Sequence, residues 1–138
     1  MSIADVYESG EQKQNKSHLE SLIAIAHVDG NLAETEKTLL EKFARRLSID
    51  STVFQAMLSG EKRYAINPPI DKMDRYKRLY DLVKISLADS ILDDKEVRLL
   101  EKYAIGLGYQ EEQANDLINK SIKFISNDVD FEEAFEQI

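Results

Sequence analysis

The sequence predicts an all-α bundle of six to seven helices with an internal pseudo-two-fold repeat, and three observations predict it. Apolar residues recur near the 3.6-residue period along most of the chain. Only two prolines and five glycines punctuate 138 residues, which disfavours a sheet protein rich in tight turns. Positions 22–49 also align with positions 82–109 at an offset of sixty, without gaps, and give eleven identities in twenty-eight positions. The length suits one domain, expected over 16–138 after a polar segment at 1–15, with repeat halves at about 16–60 and 70–126.

In chain order, a short helix is expected within 3–8. Ser17 with Glu20 reads as a capping box opening a helix with Leu19, Leu22, Ile23, Ile25 and Ala26 inward. Asp29-Gly30 stops it, because glycine accepts a positive φ. A helix over 33–47 follows on Leu39, Leu40, Phe43 and Leu47. Its first turn is acidic at Glu34 and Glu36, and Lys42, Arg45 and Arg46 lie near its end, complementing the macrodipole. Asp50 reads as the cap of a helix with Val53, Phe54, Met57 and Leu58, closed by Gly60. Residues 60–70 contain Pro68-Pro69 and read as a connector. A helix over 71–88 carries Met73, Tyr76, Leu79, Tyr80, Val83 and Leu87 on one face. Asp93 and Glu96 form an acidic capping box for a helix over 94–107, with Gly108 beyond its end. A helix over 111–126 turns Ala114, Leu117, Ile118, Ile122 and Ile125 inward. A last short one is expected within 129–137, through Phe131 and Phe135.

Composition bounds the function. The net charge of −8 argues against general nucleic-acid binding, which needs a basic footprint. Charge is uneven: 61–78 hold six Lys/Arg against three Asp/Glu, and 111–138 hold eight Asp/Glu against two Lys. Such a dipolar surface either solvates helix faces or orients a protein partner. Without cysteine there is no disulfide and no thiolate chemistry. No secretory signal and no membrane span are visible, so the cytoplasm is the expected location. No nucleophile elbow and no glycine-rich phosphate loop is present. His18 and His27 are nine residues apart, about 13.5 Å along a helix, too far to share a metal, and read as surface or boundary histidines.

The repeat returns an acidic corner twice. Asp29 and Glu36 recur as Asp89 and Glu96. Asp29-Gly30, Leu32 and Glu36 match the second half of a calcium loop, but Ile25 and His27 occupy positions that must supply oxygen ligands, so this is not an EF-hand. Two readings stay open. The aspartates act as turn residues and the glutamates as caps. Alternatively Asp29, Glu36, Asp89 and Glu96 converge as an oxygen cage for a divalent cation, Ca²⁺, Mg²⁺ or Mn²⁺.

With Ala24-x-Ala26-x-x-Asp29-Gly30-x-Leu32-x-x-x-Glu36 and its degenerate second copy, the chain resembles the TerB-like family over about residues 16–126. That family comprises tellurite-resistance TerB proteins and related N-terminal domains of DjlA-type J-proteins. The resemblance implies about seven helices with pseudo-two-fold symmetry and a metal site at Asp29, Glu36, Asp89 and Glu96. It also implies a role in stress or tellurite resistance exerted through protein partners, without an enzymatic reaction. Ser90 replaces the glycine in the second copy. The expected function is therefore a non-enzymatic docking domain. The alternatives are a metal-dependent hydrolase using the same carboxylates, with Lys84 or Arg98 near a phosphate, and a purely structural acidic adaptor.

Overall fold

The computed structural model describes residues 10–27, 32–60, 71–88 and 91–138. Among them the chain is all-α, as expected. It forms seven helices: α1 (Gly10–His27), α2 (Glu34–Arg46), α3 (Ser51–Ser59), α4 (Lys72–Leu87), α5 (Asp94–Gly106), α6 (Glu111–Ser126) and α7 (Phe131–Gln137). The expected helix within 3–8, the Asp29-Gly30 stop, the Pro68-Pro69 connector and the pair Asp89-Ser90 lie outside the described residues.

Helix α1 opens at Gly10, so Ser17 is an interior residue and not the expected cap. The polar turns ahead of Ser17 are held by tertiary bonds that local pattern cannot reveal. Asn15 Nδ2 donates to the Leu47 carbonyl at 3.1 Å, and Gln14 Nε2 donates to Asp81 at 3.1 Å. Helix α4 starts where expected, because Asp71 accepts from the Met73 amide at 3.1 Å. Asp50 occupies the N-cap of α3 but makes no side-chain cap bond.

Helices α2, α5 and α6 end in the same way. A residue with positive φ follows each: Ser48 (58°), Gly108 (113°) and Asp128 (56°). The next amide then reaches back to the final turn, Ile49 to Ala44, Tyr109 to Ala104 and Val129 to Phe124, at 2.9, 3.1 and 2.9 Å. This is the Schellman arrangement, which satisfies carbonyls that a helix end leaves without partners. Gly108 was legible from its residue type. Ser48 and Asp128 were not, because neither is a glycine.

One core joins all seven helices. Its largest fully buried members include Phe43, Phe54, Tyr76, Tyr103, Leu22 and Leu100. Helix α1 packs on α2, α3 and α5, and α4 packs on α2, α5, α6 and α7. Helix α7 is fastened to α4 by rings: Phe131 stacks on Tyr76 at 5.8 Å and meets Tyr80 edge-on at 5.6 Å. Tyr80 also donates its hydroxyl to the Val129 carbonyl at 2.8 Å. Met73, expected on the inner face, is 44% exposed because it lies in the first turn of α4, at the margin of that core. Among the described residues no helix is long and apolar enough to cross a membrane.

Candidate functional site: the second acidic corner and the cleft between α2 and α5

Asp93 and Glu96 open α5. Asp93 Oδ1 accepts from the Glu96 amide at 2.8 Å, half of the expected capping box. The other half is replaced. The Glu96 side chain does not return to its own cap but turns to α2. Arg46 grips it with both arms of its guanidinium, Nη1 to Oε2 at 3.0 Å and Nη2 to Oε1 at 3.1 Å. Lys42 Nζ adds a contact to Oε1 at 2.8 Å and lies 3.8 Å from Asp93.

Glu96 is 1% exposed and the Arg46 side chain 6%, so the fork is shut away from water, while Lys42 closes it from the half-open side. Arg46 also stands over the Phe43 ring, 5.6 Å from its centre. Burial pushes the Glu96 carboxyl upward, but the hydrogen bonds from Arg46 and Lys42 outweigh it and hold the group below the usual carboxylate range. The cations come from the C-terminal end of one helix and the carboxylates from the N-terminal end of another, so both dipoles favour the pairing.

The first copy of the corner is built differently. Glu36 is half-buried in the first turn of α2, whose N-cap is Ala33, a residue with no side-chain acceptor. The Glu36 amide bonds the Ala33 carbonyl at 3.0 Å instead. Glu36 lines a cleft of about 220 Å³ between α2 and α5 with Ala26, Leu39, Leu40 and Leu99, and with Lys95, Arg98 and Lys102 from α5. Glu96 does not line this cleft. Asp29 and Asp89 lie outside the described residues. Among the described residues, no three histidine or carboxylate side chains gather as a metal ion requires.

Sequence reasoning placed Lys42 and Arg46 at the end of their helix for its dipole and missed their partner. One signal was available. Their i, i+4 spacing puts both on one helix face, facing whatever packs there. The partner is fifty residues away and no local pattern identifies it.

His18 corrects an expectation. It is 2% exposed, not a surface or boundary residue. Its Nδ1 lies 3.1 Å from the Tyr103 hydroxyl, and its Nε2 has no hydrogen-bond partner among the described residues. Burial lowers its pKa to about 4, against the opposing pull of Asp81 and with a further push from Arg78. Burial likewise raises the Tyr103 hydroxyl to about 12. Both partners are neutral at physiological pH, a polar pair suited to a core and not to acid–base work near neutrality.

No family model matches the chain, and neither the curated proteins nor the solved structures yield a match.

Proposed function

We propose that this chain is a non-enzymatic, TerB-like helical domain that works by docking a protein partner. The observation that carries it is the α2–α5 cleft, an apolar floor walled on one side by exposed cations. Binding surfaces combine apolar depth with a polar rim in this way. The TerB-like part is supported by regularities at the sixty-residue offset. Helices α2 and α5 span 34–46 and 94–106, and both close through a positive-φ residue, Ser48 and Gly108. The packing is reciprocal too: α1 meets α5, and α4 meets α2.

The state of Glu96 favours docking over metal-dependent hydrolysis. A cation bound there would have to displace a guanidinium and an ammonium already in contact with the carboxylate. We therefore assign the steadying of the second corner to the ion-pair clamp. Melting should be the same with EDTA as with millimolar Ca²⁺, Mg²⁺ or Mn²⁺. A cation-dependent rise in Tm that Asp29→Asn with Asp89→Asn abolishes would overturn that assignment and restore the four-carboxylate cage.

Docking itself is tested by capture from a lysate with the purified chain as bait, followed by reconstitution with the purified candidate. Reversing charges within 71–78 or 128–136 should alter the captured set, if the uneven charge orients the partner. A chain that retains no specific partner through reconstitution would remove the docking role.

A further inference from the structure

We propose that the α2–α5 cleft binds an acidic peptide segment of a protein partner, seating one apolar side chain on its floor and the flanking carboxylates on its α5 wall. This assignment rests on the docking role proposed above and names the chemistry of the partner. Three features converge on it.

The first is the wall. Lys95, Arg98 and Lys102 follow one another at i, i+3 and i+7 on α5, which places them on one helix face, and all three are exposed. Among the described residues, no carboxylate lies within ion-pairing distance of Lys95 or Arg98. Lys95 and Arg98 are therefore available to a ligand at little cost, since no internal pair of theirs has to be broken first.

The second is the floor. Leu40 and Leu99 are buried but reach the cleft, and Leu39, half-buried, lines it with them. A volume of about 220 Å³ accommodates an apolar side chain, whereas a bare phosphate would leave that floor wet.

The third is direction. Thr35, Leu39 and Lys95 also line an adjoining groove of about 350 Å³ that continues past Thr38 to Lys42 and Asp93. An extended segment therefore has a path out of the cleft. Glu34 and Glu36 stand on the α2 side, so carboxylates of the ligand are steered to the opposite wall.

The overall charge of −8 repels an acidic ligand at long range. At physiological ionic strength charges beyond about 8 Å are largely screened, so the local wall decides. The same charge, with so narrow a basic strip, disfavours nucleic acid, which calls for a wider footprint.

The test is fluorescence anisotropy with a labelled peptide carrying one leucine flanked on both sides by glutamates. Two control peptides replace the leucine by serine or the glutamates by lysines. The wild-type chain should bind the acidic leucine peptide saturably and both controls at least about tenfold more weakly. Lys95→Glu and Arg98→Glu change exposed side chains, so melting curves should match wild type, yet each should weaken the peptide by about tenfold or more. Equal binding of acidic and basic peptides, affinity unmoved by Arg98→Glu, or displacement by a single-stranded oligonucleotide that binds more tightly would overturn the assignment.

The same variants separate this failure from failure of the docking role. If they lose the peptide but keep a reconstituted partner, docking stands and its surface lies elsewhere. If wild type binds neither peptide nor partner, both fall.

Discussion

Arg46→Ala should destabilise the chain by about 3–5 kcal/mol, because it strands a buried carboxylate without its main partner. Glu96 is nearly sealed from water and Arg46 supplies both arms of the fork that neutralises it. Lys42 cannot replace that fork. It touches one oxygen only and its side chain is 43% exposed. Lys42→Ala should accordingly cost about 1 kcal/mol or less. Replacing both ends of the fork, Arg46→Met with Glu96→Leu, should recover most of the loss, since no charge is then left buried. Urea unfolding of the four proteins checks this. A cost for Arg46→Ala no larger than that for Lys42→Ala would show that the fork is not what holds the corner.

Acid should weaken the fold between pH 6.5 and about 4, and His18 should be a principal cause. Its pKa is lowered from 6.5 to about 4 in the folded chain. As pH falls through 6.5 the unfolded chain takes up a proton that the folded chain refuses, so the unfolded state gains. The stability in question is fully present above pH 6.5, declines as pH falls, and is gone below about 4. The displacement corresponds to about 3 kcal/mol. Glu96 acts in the same direction lower down: its folded pKa is depressed, so its contribution is present above the ordinary carboxylate range and is lost as acid protonates it. Chemical denaturation at intervals from pH 7 to 4 reads the slope. His18→Asn removes the titrating ring and should flatten the decline in that window, leaving the steeper carboxylate loss below it. An unchanged slope in the variant would acquit His18.

How much of this was legible in the sequence depends on the distance over which each feature is encoded. The helices were readable because a buried stripe imposes a 3.6-residue period on Leu39, Leu40, Phe43 and Leu47, and again on Leu99, Leu100, Tyr103 and Leu107. The cap at Asp93 was readable because it satisfies an amide three residues on. Ser17 misled because a local capping pattern was present without a helix end, and contacts of Asn15 and Gln14 with remote residues extended the helix past it. His18 was assigned outward, since nothing near it in sequence announces the Tyr103 hydroxyl eighty-five residues away. The acidic corner was legible as a corner. Whether its glutamate met a metal, a cap or an arginine depended on what α2 brings to α5, and only the packed bundle supplies that.

The clamp has a kinetic consequence as well. Arg46 and Glu96 are fifty residues apart, so joining them closes a long loop of chain. Neither charge should leave water until the apolar faces around them are assembled, so the clamp is expected to form after the main folding barrier. Interactions formed that late leave the rate of folding almost untouched and slow the rate of unfolding. The second acidic corner thus acts as a latch. It has little influence on how fast the native bundle is reached, and it sets how long the bundle lasts once formed.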